Sequence, residues 1–95
     1  MAAYAVFIRE SIRDQAELDT YGPKAAASLA GHEFNILAAY GGHEVLEGPP
    51  VDGVVIVQFP SMEAAKAWYE SPAYREAREH RFRGASYRAV IVNGV

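Results

Sequence analysis

Three stretches of this chain are apolar at nearly every position: YAVFI at 4–8, VVIVQF at 54–59 and AVIV at 89–92. A strand in an antiparallel sheet with one wet face alternates apolar and polar residues, so strands of this kind call for cover on both faces. Two helical segments suffice to back one face of a four-stranded sheet, and the 95 residues leave nothing over for the other. Leaving several Val and Ile side chains in water instead would forgo about 1.5–3 kcal/mol each and create an aggregation-prone patch. A second copy, packed sheet to sheet across a two-fold axis, is the simplest cover. A homodimer through the open sheet face is therefore expected.

Size points the same way. A chain this short buries only about 60–65% of the surface its unfolded form exposes, so an isolated monomer is marginal. With 51% hydrophobic and 22% charged residues the composition is that of a folded globular domain and not of a disordered chain. Cysteine is absent, which excludes disulfides and thiolate metal sites and is compatible with a reducing compartment. The N-terminal apolar run has no basic region before it and no cleavage pattern, and Arg9 and Glu10 end it too soon for a membrane span. A cytoplasmic protein without membrane contact is expected. A net charge of −3 also argues against nucleic acid, which is held by neutralising phosphates.

Along the chain, residues 4–8 read as a first strand. Asp14, three residues before Glu17 in a capping-box-like pair, opens a helix whose face Leu18, Tyr21, Ala25 and Leu29 repeats at helical spacing. Gly22-Pro23 predicts a kink or restart within it, and Gly31 its end. Residues 34–40 form a second strand, Gly41-Gly42 a bend, and 43–46 a continuation of that strand beyond the bend. Gly48-Pro49-Pro50 and Asp52-Gly53 are loop chemistry before the strand at 54–59. Ser61 caps the next helix, with Ala65, Trp68 and Tyr69 inward. Ser71-Pro72 breaks that helix and restarts it, with Tyr74 and Ala77 inward and an end near Gly84, before a last strand at 87–92. The order is β-α-β-β-α-β: one ferredoxin-like α+β domain over 1–95, with a four-stranded antiparallel sheet and a broken second helix.

Phe59-Pro60-Ser61, Trp68-Tyr69, Ser71-Pro72 with Tyr74 and Arg81, and the Leu46-Glu47-Gly48 turn resemble the bacterial domain-of-unknown-function family thirteen-thirty, within the dimeric α/β-barrel superfamily. Asp14, Tyr21 and Gly94-Val95 extend the likeness over nearly the whole chain. The chain departs from it at Tyr40, where the family commonly has arginine, and at Ser86, where it often has an acidic residue. The resemblance implies a ferredoxin-like dimeric barrel and no particular reaction, since that scaffold carries monooxygenases, lactone isomerases and haem-dependent peroxidases alike.

Few residues suggest chemistry. His32 and His43 occupy similar Gly-His-Glu settings but flank one strand, about 30 Å apart if it is extended, so one mononuclear metal site cannot use both. His43 is the best single candidate for proton transfer. Among the arginines near the C-terminal end, Arg75, Arg78, Arg83 and Arg88 read as a solvated face, with Arg75 to Glu79 and Glu76 to His80 as ordinary i, i+4 partners. Arg81 stands apart, because the family likeness places it within two turns of Tyr74, where a guanidinium can grip a carboxylate through two parallel hydrogen bonds. Tyr21, Trp68, Tyr69 and Tyr74 are amphipathic aromatics that serve either as core or as the lining of an apolar pocket with polar tips. Ser61 and Ser71 are explained as caps, no nucleophile elbow exists, and phosphate-loop and dinucleotide fingerprints are missing, so no cofactor is expected. The function expected is binding of a small, anionic or aromatic molecule in a cleft between sheet and helices lined by Tyr21, Trp68, Tyr74 and Arg81. The alternatives are a cofactor-independent enzyme on small organic acids using His43 or a tyrosine, and a structural dimer module without ligand.

Overall fold

The computed structural model describes residues 1–95. Strand β1 (Ala3–Ile12) leads into α1 (Gln15–Ser28), followed by β2 (Asn35–Ala39), β3 (Gly53–Phe59), α2 (Met62–Tyr69), α3 (Pro72–Gly84) and β4 (Ala85–Asn93). The strands form one antiparallel sheet in the order β2-β3-β1-β4, so the sequence-adjacent pair β2 and β3 lies on one side of β1 and the returning strand β4 on the other. This is the ferredoxin-like arrangement the element order predicts.

Each helix starts where a side chain satisfies its free N–H groups. The Asp14 carboxylate accepts from the Ala16 N–H, Ser61 Oγ from Ala64 and Ser71 Oγ from Tyr74. The break between α2 and α3 falls at Ser71-Pro72 as expected, with Pro72 in the first turn of α3, where its missing N–H costs nothing. Glu17 does not complete a capping box. Its carboxylate turns to α3 and meets His80 Nδ1 at 2.7 Å and Arg83 Nε at 3.4 Å.

Two expectations require correction. Helix α1 runs through Pro23 without a restart, because its inward face and its ion pairs to α3, including Lys24 to Glu76 at 2.9 Å, hold it along its length. The second strand stops at Ala39 and residues 43–46 do not extend it. Tyr40 turns the chain away with φ 58°, a left-handed conformation uncommon outside glycine, and residues 41–52 loop back to β3.

The core lies between sheet and helices. Ala5 and Phe7 from β1 and Val57 and Phe59 from β3 meet Leu29, Ala65, Trp68, Tyr74 and Ala77. Alternation sends the next residues to the opposite face. There Val6 lies between Ile56 and Val90, Ile8 lies beside Val54, and Tyr4 lies beside Val92. No helix covers them, and Val90 and Val92 are 59% and 51% exposed. The molecule is a two-layer slab of 32 × 31 × 17 Å with one greasy face bare.

Candidate functional site

On α3, Tyr74, Ala77 and Arg81 recur at helical spacing and point at the sheet, all three almost wholly buried. Arg81 is 3% exposed. Its guanidinium carbon lies 5.4 Å from the Phe7 ring centre, 5.0 Å from Phe82 and 4.9 Å from Tyr87. It takes part in none of the ion pairs of the molecule, and its Nε is buried with no hydrogen-bond partner. A buried cation bounded by aromatic faces and lacking an anion is costly and uncommon, because buried charges are normally paired.

Hydroxyl groups gather near this cation. Tyr74 OH lies 2.9 Å from Tyr21 OH, and Tyr40 OH lies 2.6 Å from Tyr87 OH. Burial pushes the Tyr21 and Tyr40 hydroxyls well up from the ordinary phenol range and raises that of Tyr74, and the positive charge of Arg81 draws Tyr21 and Tyr74 back only in part. These groups therefore stay protonated at physiological pH. They are suited to donating hydrogen bonds to an anion and unsuited to abstracting a proton.

Three spaces open between the helices and the sheet. The first, about 170 Å³, lies between α1 and strands β2 and β3, with Tyr21, Tyr40 and Trp68 in its wall. The second, about 420 Å³, lies between the end of α3 and the start of β4 and is lined by Arg81, Arg13, Ser86, Tyr87 and Tyr69 among others. The third, about 460 Å³, runs between α2 and β4 and shares Tyr69 and Ala89 with the second. The four residues expected to line one cleft are thus divided. Tyr21 and Trp68 line the first space, Arg81 opens on the second, and Tyr74 is the fully buried partition behind them, 4.1 Å from the Trp68 ring centre and 6.3 Å from that of Tyr21. Trp68 is fixed by donating its indole N–H to Ser28 Oγ at 3.0 Å. His43 shares no space with any of them. It sits on the exposed loop after β2, with Nε2 2.9 Å from the Val51 carbonyl oxygen, beside a groove lined by Leu37 and Val54.

Arg9, Tyr40, Tyr87 and Arg13 are absent from the sequence-based site. The Arg9 guanidinium stacks on the Tyr40 ring at 4.4 Å and pairs with Asp52 at 3.1 Å. Strand period does place Arg9 on the same side as Phe7, so a charge at an inward position was the available signal. Arg13 donates to Ser86 Oγ at 2.5 Å and to the carbonyls of Phe82 and Ala85, which fixes a second positive charge beside Arg81. No acidic residue lines the space they share.

The topology and the helix-backed sheet define a ferredoxin-like α+β protein whose opposite sheet face is free. The chain belongs to the family described as a domain of unknown function, DUF1330, which matches residues 2–95. The RPA0582 protein of unknown function from Rhodopseudomonas palustris has a similar structure, with a TM-score of 0.77 at 18% identity, covering 99% of this chain and 83% of that one. A dimeric ferredoxin-like protein of unknown function from Bacteroides fragilis superposes with a TM-score of 0.66 at 13% identity, over 98% of this chain and 96% of the other. SnoaB, a cofactor-independent oxygenase from Streptomyces nogalater, gives a TM-score of 0.59 at 10% identity, over 99% and 92%. At these identities the likeness is one of fold. No curated protein sequence matches the chain.

Proposed function

We propose that this protein is a homodimeric binding protein for a small organic anion, held between helices and sheet by Arg81. The observation that carries this reading is that Arg81 is 3% exposed, with an unpaired Nε and no ion pair to any carboxylate of the chain. A ligand carboxylate would supply the missing counter-charge and accept the free N–H, and the surrounding rings of Phe7, Phe82 and Tyr87 suit a ligand with an apolar body. Tyr74, joined to Tyr21 through their hydroxyls, lies on the same buried helix face as Arg81, and Tyr21 and Trp68 line a separate cleft.

The second copy covers the open sheet face. Support comes from the apolar register of Tyr4, Val6, Ile8, Val54, Ile56, Val90 and Val92 and from relatives of the same fold described as dimeric. No helix is long and apolar enough to cross a membrane, and a cytoplasmic setting agrees with a chain free of cysteine. Titration calorimetry with benzoate tests the anchor. Wild type is expected to bind, Arg81→Ala to lose about tenfold or more in affinity, as loss of a charged hydrogen bond implies, and benzylamine not to bind. Equal benzoate affinity in wild type and Arg81→Ala would reject the anchor.

A further inference from the structure

The Arg81 space does not end at its charged wall. Tyr69 and Ala89, which line it, also line the groove between α2 and β4, so the two spaces adjoin. Their characters differ sharply. One holds Arg81 and Arg13 with no acidic residue, and the other is lined by Ala5, Phe7, Met62 and Ile91, with Lys66 its only charged residue and that one exposed.

The strand register explains why the groove is open. Ala89 pairs with Phe7 and Ile91 with Ala5, so small side chains alternate with large ones across β1 and β4 on the helix side. The two alanines leave room that a larger residue would fill.

Building on the Arg81 anchor, we infer that the ligand is an amphipathic monocarboxylate, its head at Arg81 and its unbranched apolar tail laid past Tyr69 into the groove between α2 and β4. Charge complementarity selects the head, since two cations face it without a competing acid. Apolar burial selects the tail, and a compact, wholly polar anion would leave the groove unused. Ala89 sets how far the tail can pass.

The test is a series of butanoate, hexanoate and octanoate, measured by calorimetry on the full chain. Affinity in wild type is expected to rise about fourfold per added methylene, the factor that burial of one CH₂ implies. Ala89→Leu is expected to flatten the series, and octylamine is expected not to bind. Met62, on the opposite wall on α2, lines the groove and not the Arg81 space, so Met62→Trp is expected to flatten the series while leaving butanoate unchanged, and it keeps the readout should Ala89→Leu alter assembly. A flat series in wild type, or a series left steep by both blocking variants, overturns the tail assignment while the Arg81 anchor stands. Carboxylates that bind Arg81→Met as tightly as wild type overturn the anchor itself, and the tail assignment with it.

Discussion

An almost fully buried guanidinium without a counter-ion weakens the empty protein, because desolvating a charge costs several kcal/mol and each aromatic face returns about 0.5–2. Arg81→Met, which keeps the length and removes the charge, is therefore expected to raise the melting temperature of the ligand-free protein by a few degrees while abolishing carboxylate binding. A melting temperature lowered by the same substitution would mean that Arg81 serves the fold and not a ligand. Tyr40 depends on a neighbour in a similarly local way. A Cβ at Gly53 would lie 2.5 Å from the Tyr40 ring, so Gly53→Ala must displace that ring and its hydroxyl contact with Tyr87. The loss is expected to show as a change in near-ultraviolet circular dichroism with little change in the far-ultraviolet. Arg81 was legible because the family resemblance singled it out close to Tyr74 and Ala77, whereas its burial without a counter-ion was not. Nor was the cluster of Arg9, Tyr40 and Tyr87, since it joins β1, the end of β2 and β4, and only the sheet order brings those segments together.

Between elements, α1 and α3 are clamped by Glu17 against His80 and Arg83. The hydrogen bond from His80, and after it the charge of Arg83, holds the Glu17 carboxyl below its ordinary value of 4.5. A group whose value is lowered on folding stabilises the fold above its unfolded value, and that contribution is lost as pH falls through the folded value. The melting temperature is therefore expected to fall less steeply below pH 4.5 in Glu17→Gln than in wild type, with the two curves parallel near pH 7. The same helices approach closely at Gly84, where a Cβ would lie 2.9 Å from Leu18 Cδ2 and 3.1 Å from the Asp14 carbonyl oxygen. Gly84→Ala is expected to cost about 1–3 kcal/mol by chemical denaturation, the usual penalty for overpacking. Such long-range closures are why Pro23 brings no restart. Contacts with α3 keep α1 continuous through it, and propensity yields to packing. The bend expected at Gly41-Gly42 falls one residue earlier, at Tyr40, and hydrophobic residues at 45 and 46 did not mean strand, because no neighbouring strand remains at that edge to pair with them.

The whole molecule carries the feature most visible in the sequence. Strands apolar on both sides did mean a sheet with two apolar faces, and the structure supplies helices for only one of them. The exposed surface of the chain, 5851 Å², exceeds the about 5,400 Å² typical of a compact monomer of this mass, as a slab with one bare apolar face should. Packing two such faces about 10 Å apart would bury Val6, Ile56 and Val90 at the centre of the contact. Sedimentation equilibrium at micromolar concentration measures this directly. The wild-type chain should sediment at twice its 10.4 kDa mass, and Ile56→Lys, which places a charge at the middle of the bare face, should sediment as a folded monomer. A wild-type chain that stays at 10.4 kDa across that range would contradict the account.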